Sequence, residues 1–341
     1  AADSLRALVP QLHALQVGSK KHRRSNNKNG SGRAAAFRRF LISTFGRAEM
    51  ASGSGVLDVC GGQGGLAFEL LNLHDVPVTV IDPGATNEAA IGGRGRTVRR
   101  FERQFEHVRR VQSGSQASQA GGAEELSQGE AASETGQSKQ LRYPAHWPVY
   151  WRDEVWRPIA AEMRSQSQAA ASSSGRDASA EAGAEDNIGG LTPSGDTLSA
   201  LTRALDAAAA PGLPPPPALE AWHVLHSCSA VVGMHPDAAT ESILDFALAT
   251  NKPFAIVPCC VFASDFPWRL LDGKAVTTTA DFIRYLARKD PLRIAVADLP
   301  FEGKNVVLYS RPSTRSSGSA LMTATQDEDN ITGPCNACDD V

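Results

Sequence analysis

Nowhere does this sequence hold an apolar run approaching the roughly 20 residues that a membrane span requires, and its first residues lack the apolar core of a secretory signal. Cysteine is scarce as well. Six in 341 residues, two of them adjacent at Cys259 and Cys260, make no disulfide framework. That points to a reducing, intracellular setting, without separating cytoplasm from nucleus or organelle. Zinc-ligand sets are incomplete too: Cys335 and Cys338 supply the spacing but only two ligands, and His223, His226 and Cys228 are merely near one another in sequence, so no metal site is expected. Branched apolar and aromatic residues are nearly absent from 113–140 and 165–184. Ordering such segments costs backbone entropy with little burial to offset it.

Carboxylates are missing between Asp3 and Glu49, although the net charge of the whole chain is only −3. In that gap lie Lys20, Lys21, Arg23, Arg24, Lys28, Arg33, Arg38, Arg39 and Arg47, a basic stretch with His22 among it. A second basic group, Arg94, Arg96, Arg99, Arg100, Arg103, Arg109 and Arg110, follows. Such clusters attract a polyanion, and they equally suit a solvated basic face.

Four leucines at helical spacing, Leu5, Leu8, Leu12 and Leu15, predict a short amphipathic helix ahead of the basic arm. Residues 33–45 predict another, with Phe37, Phe40, Leu41 and Phe45 on its apolar side and Gly46 as its stop. Residues 56–59 and 78–81 are apolar runs that read as buried strands, and 66–73 is a helix between them, which makes a βαβ unit with parallel strands. Further on, strands are expected at 230–232, 253–257, 292–297 and 305–309, and helices at 236–249 and 281–289. The chain thus divides into a helix and basic arm at 1–32, a domain at 33–310 interrupted by a largely disordered, low-complexity insertion at about 112–220, and a disordered tail at 311–341. Inside the insertion, Tyr143, Trp147, Tyr150, Trp151 and Trp156 form an aromatic island. It reads first as a segment packing back onto the core, and second as a platform for a planar substrate.

The turn between the first two strands carries the chemistry. Asp58, Cys60, Gly61, Gly62 and Gly64 follow or end the first strand, and Asp82 and Pro83 end the second. Gly62 and Gly64 let the backbone approach a ligand closely, Asp58 orients the turn or receives an ammonium group, and Asp82 is placed to accept hydrogen bonds from ribose hydroxyls. A dinucleotide fold uses similar geometry, but Asp58 is an unwelcome charge beside a pyrophosphate and a tolerable one beside a sulfonium zwitterion. Residues 56–82 resemble the first two motifs of class I S-adenosylmethionine-dependent methyltransferases, with Cys60 standing where the first glycine of the pattern usually is. The resemblance implies a Rossmann-like α/β fold, a mostly parallel seven-stranded sheet with helices on both faces, and S-adenosyl-L-methionine as cofactor.

A second constellation, His235-Pro236-Asp237-Ala238-Ala239-Thr240-Glu241, follows the strand at 230–232, and Pro258-Cys259-Cys260 follows the next strand. His235 is a candidate to close over the cofactor or act on a substrate proton, Asp237 to orient or accept that proton, and Cys259 and Cys260 to line the transfer pocket. A cysteine nucleophile at Cys260 is a rival reading, and a tight wall of small residues a third. The pair of segments is similar to a subset of class I methyltransferases that includes the 2′-O-methyltransferases of the transfer-RNA acceptor stem and the methyltransferase-like protein 25 group. In that likeness Glu241 takes the place of a terminal loop acid, Asp237 that of a frequent cysteine, and Phe262 that of a frequent histidine. The whole pattern looks most like uncharacterised fungal and algal proteins of this fold, from which no assigned reaction carries over. The function expected is methyl transfer to RNA, ribose or base, with Lys20, Lys21, Arg23, Arg24, Arg38 and Arg39 following phosphate and no membrane involved. A small-molecule or protein acceptor, and a binding or assembly protein that kept the fold without turnover, are the alternatives.

Overall fold

The computed structural model describes residues 30–84, 106, 142–173 and 192–311. Its frame is a seven-stranded sheet in the order β3-β2-β1-β4-β5-β9-β8. The strands are β1 (Val56–Val59), β2 (Val78–Ile81), β3 (Ala145–Trp147), β4 (Ala230–Met234), β5 (Phe254–Val257), β8 (Ile294–Asp298) and β9 (Val306–Ser310), and a separate small hairpin pairs β6 (Leu270–Leu271) with β7 (Lys274–Ala275). β1 pairs in parallel with β2 and β4, and β2 with β3 and β4 with β5 likewise. Only β9 runs against its neighbours β5 and β8. This is the mostly parallel, seven-stranded order of the class I methyltransferase fold.

Alternation along the central strands sends successive side chains to opposite faces. Val56, Val78, Val80, Val232 and Val257 pack against helices α1 (Gly30–Phe45) and α3 (Gly65–His74) through Phe37, Leu41, Leu66 and Leu70, with Met50 of the short α2 (Arg47–Met50) beside them. Leu57, Val59, Ile81, Val231 and Phe254 face the other way. They meet α4 (Asp153–Ser173), α5 (Gly195–Ala208), α6 (Ala218–Ser227), α7 (Thr240–Ala249) and α8 (Thr279–Ala287), whose Trp156, Leu201, Trp222, Phe246 and Phe282 are buried there. With both faces covered, every residue of β1, β2 and β5 is buried, which is why these strands read as continuous apolar runs.

The insertion is more ordered than its composition suggests. Residues 142–173 and 192–219 fall within the expected insertion, yet they supply the edge strand β3 and helices α4 and α5. α4 is rich in Ala, Ser and Gln, but Val155, Trp156, Ile159 and Ala160 concentrate its apolar surface in its first two turns, and Leu201, Leu205 and Ala208 do the same for α5. A narrow stripe is enough when it lands on an existing core. The tryptophans of the aromatic island belong to that core, while Tyr143 and Tyr150 are exposed: Trp147 sits in β3, and Trp151 and Trp156 pack on the Phe246 ring at 5.4 and 6.0 Å between centroids. Residues 113–140, the leucine helix, Lys20, Lys21, Arg23 and Arg24, the basic group at 94–110, and Cys335 and Cys338 lie outside the described residues. Among the described residues, no helix is long and apolar enough to cross a membrane.

Candidate functional site

The strand order reverses between β1 and β4, so their carboxyl ends open a crevice, the usual place for a ligand in an open α/β sheet. The glycine turn leaves β1 on one side of it. Gly64, at φ 70°, is the residue before α3, a left-handed position that glycine takes without strain. Gly61 is needed for a different reason: a Cβ there would lie 2.7 Å from Asp58 Oδ2 and 3.0 Å from Val80 Cγ1. A Cβ on Gly62 meets no protein atom within 4 Å, so the side of the turn it faces is open.

Asp82 locks the turn. Its Oδ2 accepts the Gly62 N–H at 2.9 Å, and its Oδ1 accepts the Gly84 N–H at 2.8 Å, with Pro83 between. Each carboxylate oxygen keeps a further lone pair. The turn and the second-strand carboxylate therefore face each other across a single hydrogen bond. Asp58 lies beneath them, 1% exposed, with Oδ2 buried and without a hydrogen-bond partner. Burial first, and the Asp82 charge second, push its carboxyl up to about 7, against a hydrogen bond from the Ala67 N–H. Its carboxylate lies against Gly61 and leaves no room there for a Cβ.

Cys60 is accommodated at φ 55°, a left-handed conformation that costs a non-glycine residue about 1 kcal/mol. Its N–H is held by the Ile81 carbonyl at 2.7 Å. Burial, then the charges of Asp82, Asp58 and Asp237, push the thiol up to about 12. The influence of Asp237 on Cys60 joins the two constellations in one electrostatic neighbourhood.

On the β4 side, His235 and Asp237 both stand at positive φ, 59° and 46°, and the His235 N–H is anchored to the Val257 carbonyl at 3.0 Å. Asp237 is exposed, and its Oδ1 accepts from the Cys259 thiol at 3.0 Å. Burial, followed by that hydrogen bond, pushes the Cys259 thiol up to about 12. A protonated, buried thiol is a poor nucleophile. The His235 ring contacts Phe301 edge-on, and its Nε2 is buried without a partner. Burial and the nearby Arg33 and Lys304 hold the imidazole below its ordinary pKa, with Asp237 opposing them.

Glu241 is not in the crevice. It binds Arg269 Nε at 2.6 Å, the Tyr285 hydroxyl at 2.7 Å and Lys289 Nζ at 2.6 Å. Burial pushes its carboxyl up, but these three partners outweigh it and hold the group below the usual carboxylate range. Arg269, 2% exposed and sandwiched between the Phe266 and Phe282 rings, also donates to the Val261 carbonyl at 2.9 Å, directly after the cysteine pair. This clamp positions the Pro258-Cys259-Cys260 loop. Sequence reading missed Arg269, Tyr285 and Lys289, since nothing in their spacing marks a contact across dozens of residues. Arg33, Phe301 and Lys304 beside His235 were equally invisible as a group.

Arg38, expected on a phosphate path, is instead bound to Glu69 at 3.0 Å and to His74. Arg39 on the same helix is exposed. His226 stacks on Trp222, and the Cys228 thiol donates to the Leu225 carbonyl. No protein-family model, curated protein or solved structure matches the chain. Strand order and the crevice at its reversal are accordingly what place this chain in the class I methyltransferase fold.

Proposed function

We propose that the chain is an S-adenosyl-L-methionine-dependent methyltransferase with RNA as its acceptor. The observation that carries the cofactor half is the Gly62 to Asp82 hydrogen bond at the sheet reversal, with open space on one side of Gly62 and a buried, unpartnered Asp58 oxygen below. These residues fit the group: Gly61, Gly62 and Gly64 supply backbone surface, and the free lone pairs of Asp82 suit ribose hydroxyls. The cofactor supplies an electrophilic methyl on a sulfonium. The chain's own task is to align an acceptor and take up its proton. Asp237 is the better candidate for that proton, because its carboxylate is exposed while Nε2 of His235 is buried. Cys259, Cys260 and Cys60 act as walls.

Support for RNA comes from the basic arm of Lys20, Lys21, Arg23 and Arg24, with Arg39 continuing it; Arg38, tied to Glu69, drops out of that path. Transfer of labelled methyl groups from the cofactor into fractionated cellular RNA, protein and metabolites tests the reading. Label in RNA is the expected result. Label confined to metabolites or protein moves the acceptor elsewhere. Affinity for short RNA should also fall steeply between low and physiological salt. A second reading, a binding protein that keeps the fold without turnover, draws on Cys60 occupying a left-handed glycine position. Methyl transfer that disappears in a folded Asp82→Ala variant would remove it.

A further inference from the structure

Asp237, Cys259 and Cys260 have metal-donor chemistry beyond the roles given to them above. One ligand atom each from Asp237, Cys259 and Cys260 lies within 4.8 Å of the others. The three arrive from two separate loops, one after β4 and one after β5, and meet where Cys259 already touches Asp237 at 3.0 Å. Both cysteines are free.

We propose that Asp237, Cys259 and Cys260 form a binding site for a soft divalent cation of the zinc class. Two sulfurs and one carboxylate oxygen are donors that select such a cation over magnesium or calcium. Tetrahedral zinc with Zn–S bonds of about 2.3 Å keeps its sulfurs about 3.8 Å apart; with the donor atoms within 4.8 Å of one another and Cys259 at 3.0 Å from Asp237, the sulfurs close by at most about 1 Å while the Cys259–Asp237 pair opens by a few tenths. The Arg269 to Val261 bond fixes the cysteine loop from behind, and the β4 loop is fixed through the His235 N–H, which limits the rearrangement that binding requires. Asp237 is exposed while Cys259 is buried, so the fourth position is reached from solvent, as in sites that keep a water or substrate oxygen. Each thiol that ligates gives its proton to solvent, which makes uptake weaker as pH falls. A cation here and proton uptake by Asp237 exclude each other, so the metal would oppose the proton transfer assigned above; the binding itself does not depend on that assignment.

The test uses the full chain, reduced and stripped with chelator, titrated with cobalt(II) as the probe and then with zinc(II). The expected result is a sulfur-to-cobalt charge-transfer absorption that saturates at one equivalent and is displaced by zinc. Cys260→Ser and Asp237→Asn, at half-buried and exposed positions, should each weaken cobalt binding by about tenfold or more with the circular dichroism unchanged. The double variant Cys335→Ser, Cys338→Ser should keep the absorption. An absence of charge transfer at one equivalent, undiminished cobalt affinity in Cys260→Ser, or loss of the absorption in the Cys335, Cys338 double variant would overturn the proposal.

Discussion

Adjacent glycines in the turn do different work. Gly61 is tight against the protein, whereas Gly62 faces open space but stands at φ 56°, so a side chain would clash at the first and strain only the backbone at the second. Gly61→Ala brings a methyl group within 3.0 Å of Asp58 and Val80 and should cost about 1–3 kcal/mol in chemical denaturation. Asp58 gives the residue scale a pH signature. Its folded pKa of about 7 lies above the unfolded 3.8, so its contribution to stability is fully present below 3.8 and is lost as pH rises through about 7. Relative to Asp58→Asn, the wild-type chain should therefore lose stability over that interval, by on the order of 3–4 kcal/mol. Matching denaturation midpoints for the two chains at both ends of the interval would contradict this burial of Asp58.

Elements differ in how plainly the sequence marks them. β1, β2, β4 and β5 announce themselves as short apolar runs because helices cover both faces of the sheet. β3 does not: Ala145–Trp147 is three residues at an edge, in a pattern of exposed, intermediate and buried positions that no run of apolar residues marks. α4 and α5 hide in low-complexity composition, since a few large residues suffice once Phe246 and its neighbours offer them a surface. The glycine turn and the two cysteines were legible from residue type and spacing. The clamp that holds the cysteine loop was not, because Glu241, Arg269, Tyr285 and Lys289 meet only when α7, α8 and the β6 hairpin pack together. Arg269→Met removes one partner of a buried ion pair and should cost about 2–4 kcal/mol. Tyr285→Phe, which leaves Arg269 and Lys289 on Glu241, should cost about 1 kcal/mol. Equal losses in the two variants would mean that Arg269 is not the anchor.

Across the whole molecule, the reversal of strand order between β1 and β4 brings residues far apart in the chain to one edge. Asp58, Cys60 and Asp82 come from the first crossover, and His235, Asp237, Cys259 and Cys260 from beyond the insertion. A single electrostatic neighbourhood results, visible in the combined effect of Asp82, Asp58 and Asp237 on Cys60. The sheet needs the insertion as well, since β3 completes the edge beside β2, and Asp82 N–H bonds to the Trp147 carbonyl at 3.2 Å. The account predicts that this edge is a nucleoside site, with the ribose on the remaining lone pairs of Asp82 and the open side of Gly62 against the ligand. Calorimetric titration of the full chain with S-adenosylhomocysteine tests it most directly. Saturable one-site binding by the wild type, weakened at least about tenfold by Asp82→Ala in a chain with unchanged circular dichroism, is the predicted result; undiminished affinity in that folded variant, or no binding by the wild type, would contradict it.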